Sequence, residues 1–162
     1  MKIRFIFPII LISVLIFTAC SKGADNKEQS LHNQIPTTIY ISLYRTDSTK
    51  IQPELIDMVG DSQLLKQFYN WKKDGIQTSL PSFEKVDRIY ILQYSYEGAD
   101  SNSEYYMYVT DNEGNNYIKQ FEYNDSYESY QASLKREDIL DKIGSDDWLK
   151  VSAMDLVNKI NL

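Results

Sequence analysis

The sequence predicts an α+β fold with a single, mostly antiparallel sheet of about four strands and with helices packed on one face. Three observations lead to this expectation. Apolar residues alternate with polar or aromatic ones in several short segments, as in half-buried strands. A loop rich in Asn, Asp and Gly joins two of these segments, which is typical of a hairpin. Other regions carry apolar residues at helical spacing. The predicted order is β-α-β-β-β-α-α.

The first predicted elements are a strand and a helical region. Residues 37–45 alternate between aliphatic and other side chains, which predicts a strand with one aliphatic face. Residues 53–73 carry apolar side chains at helical spacing, with Pro53 suited to a first turn and Asp61 suited to a cap. An internal glycine interrupts this region, so it is predicted as either one kinked helix or two.

The middle of the chain predicts three more strands. Residues 86–97 form a long alternating segment. Residues 105–110 and 117–123 flank a turn sequence, Asp111-Asn112-Glu113-Gly114-Asn115-Asn116, and are predicted as a hairpin.

The C-terminal region predicts two helices. A short apolar stripe at Ile139, Leu140 and Ile143 ends at a glycine, and Ser145 is suited to cap a last helix. The buried face of that last helix is predicted to consist of Leu149, Ala153, Leu156 and Ile160.

The N-terminus has the pattern of an export signal. Lys2 and Arg4 precede an apolar run, Phe5 to Phe17, which leads to the chain's single cysteine, Cys20. A helix over this run rises about 20 Å, less than the roughly 30 Å of hydrocarbon that a membrane span must cross. A basic start, a short apolar middle and a small-residue exit are typical of a cleaved signal.

The end of this run, Phe17-Thr18-Ala19-Cys20, resembles the lipobox of bacterial lipoprotein precursors. The resemblance implies that the Cys20 thiol receives a diacylglycerol bearing palmitate-type chains, and that a signal peptidase cuts before Cys20. It also implies a lipid-anchored position outside the cytoplasm, with the outer membrane as the destination in a Gram-negative host because Ser21, and not Asp, follows the cysteine. The alternative is an ordinary secretory signal with Cys20 near the cut.

These patterns predict three parts: a signal peptide (1–19), a lipidated cysteine with a flexible tether (20–36), and one α+β domain (37–162). The tether is predicted from its polar composition, which cannot bury enough apolar surface to offset the entropy of ordering. Removal of residues 1–19 leaves 15 basic and 23 acidic residues, a formal net charge of −8, down from −6 for the whole chain. Nucleic acid is therefore not an expected partner, because binding phosphates requires Lys and Arg.

Catalytic and metal-ligating residues are not predicted. His32 is the only histidine and lies in the tether, so a Ser-His or Cys-His pair is not expected in the domain. Clustered His and Cys for a metal are also lacking, and the only expected non-protein group is the diacylglycerol on Cys20. Paired carboxylates remain open as glycosidase groups. The candidates are Glu97, Asp100, Glu104, Asp111, Glu113, Glu122, Asp125 and Glu128.

Tyrosines are the one predicted binding feature. If the aliphatic face of the sheet meets the helices, the alternation gathers tyrosines on the opposite face, where they suit protein or sugar recognition. The alternative is that they only stabilise the sheet through cross-strand pairs. These residues are Tyr40, Tyr44, Tyr90, Tyr94, Tyr96, Tyr106 and Tyr108.

The predicted function is that of a non-catalytic, membrane-anchored binding or accessory module whose partner is another envelope component, expected to be a protein. Two alternatives remain open at this point. One is a histidine-free carbohydrate-active enzyme that uses two carboxylates. The other is a structural subunit of a membrane complex, which would expose a large apolar patch.

Overall fold

The computed structural model describes residues 34–45, 51–97, 103–128 and 136–153. These residues form seven strands and two α-helices. The strands are β1 (Thr38–Leu43), β2 (Glu54–Val59), β3 (Ile76–Thr78), β4 (Val86–Ser95), β5 (Glu104–Asp111), β6 (Asn116–Phe121) and β7 (Trp148–Val151). The helices are α1 (Ser62–Asp74) and α2 (Arg136–Ile143), and short 3₁₀ turns occupy Phe83–Lys85 and Asp125–Tyr127.

All seven strands belong to one antiparallel sheet in the order β2-β1-β4-β5-β6-β7-β3. The prediction of about four strands with helices on one face is therefore wrong. The sheet is larger because β2, β3 and β7 add to the four predicted strands. Its helices also pack on opposite faces, as the strand register shows.

The register assigns each buried side chain to a face, because directly paired residues point to the same side of a sheet. Tyr90 lies opposite Tyr108, and Ile91 lies opposite Met107. The first pair belongs to the side where Trp71 of α1 stacks on Tyr108, which we call the α1 face. The second pair belongs to the side where the apolar residues of α2 join the core, which we call the α2 face.

Helix α1 begins directly after Asp61, the predicted cap, and ends at Asp74, one residue beyond the predicted region 53–73. The Asp61 carboxylate accepts hydrogen bonds from the backbone N–H groups of Gln63 (3.1 Å) and Leu64 (3.0 Å), which are otherwise unpaired at a helix start. Four side chains of the helix are buried against the sheet: Leu65, Phe68, Tyr69 and Trp71.

The predicted helix over the start of 53–73 is instead strand β2. Leu55, Ile56 and Val59 fit one helical face, but six residues are too few for periodicity to distinguish a helix from a strand. Pairing with β1, in which Ile39 lies opposite Val59, supplies the backbone hydrogen bonds that favour the extended form.

The predicted last helix is replaced in its first part by β7. Asp147 adopts a positive φ of 60°, and the chain then enters a strand in which Leu149 lies opposite both Ile118 of β6 and Gln77 of β3. Because β7 pairs on both sides, tertiary pairing outweighs the local helical pattern. Leu156 and Ile160, assigned to the same predicted helix, lie outside the described residues, as do the signal peptide and Cys20.

Candidate functional site

Four of the predicted binding tyrosines lie together on the α1 face. Tyr90, Tyr94, Tyr106 and Tyr108 are each at most 5% exposed, because α1 covers this face. The aliphatic residues of β1 share the same side, since Ile39 lies opposite Tyr94. Tyrosine and aliphatic side chains thus pack together under the helix, instead of occupying opposite faces. A partner has no open access to these four rings while α1 is in place.

The other three tyrosines lie elsewhere. Tyr40 is half-buried and lies opposite Gln93, on the α2 face. Tyr44 is buried in the core on that side and donates its hydroxyl to the Tyr127 carbonyl oxygen (2.6 Å). Tyr96 follows the end of β4 and is hydrogen-bonded to a buried carboxylate. The seven rings therefore do not form one surface.

The buried carboxylate belongs to Glu104, at the start of β5. It forms an ion pair with Lys72 of α1, and these side chains are only 10% and 9% exposed. The Tyr96 and Tyr106 hydroxyls also donate to the Glu104 carboxylate, at 2.6 and 2.9 Å. The Lys72 ammonium donates to the Tyr96 hydroxyl (2.8 Å) and lies 5.2–5.5 Å from the ring centroids of Tyr94, Tyr96 and Tyr106.

Protonation in this cluster is set by burial and by the mutual hydrogen bonds. Burial lowers the pKa of Lys72, and the contact with Glu104 partly opposes this. Burial alone would raise the pKa of Glu104, but hydrogen bonds from Lys72, Tyr96 and Tyr106 outweigh it and leave the pKa below its ordinary value. Burial, followed by the adjacent Glu104 carboxylate, raises the pKa of Tyr106 far above its ordinary range. The contact between Lys72 and Glu104 therefore joins α1 to the start of β5.

A cleft of about 350 Å³ opens beside this helix, between α1 and the end of β7. Its walls combine one face of the helix with the chain that follows the last strand. They are lined by Gln67, Asn70, Trp71, Asp74, Gly75 and residues 151–153.

The indole of Trp71 is fixed in this wall. Tyr108 stacks on it with ring centroids 5.1 Å apart and planes 3° from parallel, and Phe68 meets it edge-on at 4.8 Å. Its Nε1–H points to the Ser152 hydroxyl oxygen, 3.4 Å away. Because these contacts hold the ring, this wall is formed before any ligand arrives.

The polar lining is uncharged except for one carboxylate. Gln67 and Asn70 contribute amides, Ser152 a hydroxyl and Asp74 the carboxylate. The two lysines beside Trp71 are engaged elsewhere: Lys72 in the ion pair, and Lys73 over the Tyr69 ring at 4.7 Å. The described lining therefore offers hydrogen-bond donors and acceptors, but not a cationic side chain.

Neither the cleft nor the ion pair was predicted, although the sequence holds signals for both. Lys72 continues the buried stripe of Leu65, Phe68 and Tyr69 at helical spacing, so its ammonium requires a buried partner. Glu104 alternates with Tyr106, which places it on the same side. Signals for the cleft are fainter, since polar residues at positions 67, 70 and 74 look like any solvated helix face.

Among the predicted carboxylates, Asp111 is fully engaged in the turn between β5 and β6. It accepts from the backbone N–H groups of Glu113 (3.0 Å) and Asn115 (2.7 Å), from the Asn115 side chain (2.9 Å) and from the Tyr117 hydroxyl (3.2 Å). The described part of the chain contains no group of three or more His, Cys, Asp or Glu positioned to hold a metal ion. Its helices are also too short or too polar to cross a bilayer.

Comparison with known proteins adds no relative to this picture: no family model, curated protein or solved structure matches the chain.

Proposed function

We propose that the protein is an extracytoplasmic lipoprotein, anchored through a diacylglycerol on Cys20, whose folded domain binds a small exposed group of another cell-envelope component. The anchor is supported by the lipobox-like Phe17-Thr18-Ala19-Cys20. Two acyl chains retain a protein at a membrane far better than one. The binding role is supported by the cleft between α1 and β7.

One observation carries the binding role: a pre-formed cleft that combines an immobilised indole with several hydrogen-bonding side chains. Ligand sites typically join an apolar wall to a few placed polar groups, over volumes of about 300–1,000 Å³. At about 350 Å³, this cleft fits a single small group better than a long chain. A two-carboxylate enzyme is less favoured, because Asp74 is the one carboxylate in the described lining.

The anchor is tested by fractionation and mass spectrometry. We expect the native protein to remain with the membranes and to carry a diacylglycerol on Cys20, with residues 1–19 removed. Cys20→Ser should leave the membrane fraction, whereas the control Ser21→Ala should stay there. An unmodified Cys20 thiol in the native protein would refute the anchor.

The cleft is tested through the two tryptophans of the chain. ¹⁵N-tryptophan labelling of the lipidated protein in detergent micelles gives two indole signals, one from Trp71 in the cleft and one from Trp148, which is buried in the core of the α2 face. A soluble extract of the host's envelope should shift the Trp71 signal and leave the Trp148 signal in place. If neither signal moves, or both move equally, binding at the cleft is refuted.

A further inference from the structure

We infer that the ligand of this cleft is an uncharged sugar ring of an envelope glycan, recognised through neighbouring hydroxyls. This inference rests on the proposed binding function and specifies the chemical class of its ligand. It is drawn from the charge, the hydrogen-bonding capacity and the size of the cleft.

Charge argues against an anionic ligand. Phosphate and carboxylate groups are normally held by Arg, Lys or a row of backbone N–H groups. Lys72 is held in its ion pair with Glu104, and Lys73 lies over the Tyr69 ring. The Asp74 carboxylate in the lining would also repel an anion.

Hydrogen-bonding capacity favours hydroxyls over an ammonium group. An ammonium could donate to the Asp74 carboxylate and to the amide oxygens of Gln67 and Asn70, but it cannot accept, so it would leave the two amide NH₂ groups without a partner. A hydroxyl both donates and accepts, and therefore satisfies an amide oxygen, an amide NH₂, the Ser152 hydroxyl or the Asp74 carboxylate equally well. Adjacent ring hydroxyls present such groups in a row, which matches the polar side chains that follow one another along α1.

The remaining wall suits the C–H groups of a sugar ring. The lining also includes apolar groups, namely Gly75, Val151 and the indole of Trp71, a residue that is only 5% exposed. Gly75 is required here, because a Cβ at this position would approach the Leu149 Cβ to 2.7 Å. The cleft thus offers some apolar contact beside its polar groups, and a sugar ring carries both C–H groups and hydroxyls.

The test uses probes that share a ring and differ in charge. Glucose, galactose, mannose and N-acetylglucosamine are the neutral probes, glucosamine is the cationic probe, and glucose 6-phosphate is the anionic probe. We expect at least one neutral sugar to shift the Trp71 indole signal with saturation, and the Trp148 signal to stay in place. The phosphorylated ring should bind at least tenfold more weakly than its neutral parent.

Substitutions on the exposed side of α1 connect the effect to the cleft. Asn70→Ala and Gln67→Ala should each weaken binding of the neutral sugar at least fivefold, because each removes an amide from the lining. Gln63→Ala is the matched control, since Gln63 is exposed on the same helix and is not part of the lining. Equal affinity in all three variants would overturn the inference.

The outcomes separate this inference from the proposed function. If the envelope extract shifts the Trp71 signal but no neutral sugar does, or if only glucosamine does, the sugar class is wrong and the binding function stands. If the extract also fails to shift the signal, both proposals fall. Release of shorter saccharides from the envelope extract on incubation with the protein would show an enzyme and overturn the non-catalytic role.

Discussion

The buried pair of Lys72 and Glu104 shows, at the scale of single residues, how α1 is held against the sheet. Each charge has partners within hydrogen-bonding reach, so neither is buried alone. Removing one member of such a pair strands the other charge in a poorly solvated site. The attraction within the pair therefore contributes less to the stability of the fold than the free-energy cost of leaving one of the two charges unpaired.

Glu104→Gln is expected to lower the free energy of unfolding by about 3 kcal/mol, because Lys72 loses its counter-charge. Urea denaturation at pH 7 measures the change. Adding Lys72→Met should recover much of the loss, since a buried pair replaced by apolar groups is often neutral.

The matched control is Glu113→Gln, which breaks a pair with Lys85 whose side chains are 58% and 50% exposed. Its unfolding midpoint should equal that of the wild type, because solvent screens an exposed pair. Equal losses in Glu104→Gln and Glu113→Gln would contradict the role assigned to the buried pair.

The Glu104 carboxylate should also make the stability of the fold depend on pH. Hydrogen bonds hold the pKa of Glu104 below its ordinary value of 4.5, so the unfolded chain takes up this proton first as the pH falls. The stability from Glu104 is present above pH 4.5 and is lost as the pH drops through the folded pKa. The stability gap between wild type and Glu104→Gln should therefore narrow from pH 6 to pH 3, as urea titrations would show. A constant gap would contradict this.

At the scale of elements, the junction between α1 and β3 is tightly packed. A Cβ added at Gly75 would lie 2.7 Å from the Leu149 Cβ and 2.9 Å from the Trp71 carbonyl oxygen. We expect Gly75→Ala to cost about 1–3 kcal/mol through overpacking, and to shift the Trp71 indole signal.

Gly60→Ala is the control, because a Cβ there meets nothing within 4 Å. Its stability should change by less than about 0.5 kcal/mol. Thermal unfolding of the two variants measures both changes in stability. A loss of stability in Gly60→Ala as large as that in Gly75→Ala would contradict the steric explanation.

The elements that the sequence predicts correctly are those with strong local signals. Helix α1 has a capping aspartate and an apolar stripe from Leu65 to Trp71, and β4 has a long alternation. Strands β2, β3 and β7 are three to six residues long, and β7 forms only because β6 and β3 lie on both sides of it. Such pairing is not visible in a local window, so the sheet was predicted too small.

The candidate site could not be predicted from the sequence for a related reason. The alternation identifies which tyrosines share a face, and Tyr90, Tyr94, Tyr106 and Tyr108 do so. It cannot say which face a helix covers. Nor does the alternation show that Trp71 and Ser152, which are 81 positions apart in the chain, line the same cleft.

At the scale of the whole molecule, the sheet separates two cores that share one set of strands. Phe68 and Trp71 of α1 pack on one side, and Ile139 and Leu140 of α2 pack on the other. Because neighbouring residues of β4 and β5 serve opposite sides, loss of one core should unfold the other.

The two indole signals test this cooperativity. In the ¹⁵N-tryptophan-labelled protein, the native signals of Trp71 and Trp148 should disappear at the same urea concentration, since each reports on one side of the sheet. Different midpoints would show that the α1 and α2 sides unfold independently.

A helix packs on each face of the sheet, and this affects which surfaces of the domain remain open to other molecules. Among the described residues, the large apolar side chains that stay most open to water include Leu55 and Met58 on β2 and Ile76 on β3. These are the two outermost strands, and Gly75, which lines the cleft, directly precedes one of them. Besides the exposed side of α1, the perimeter of the sheet is therefore a second region where sequence changes can alter what the domain contacts without disrupting its core.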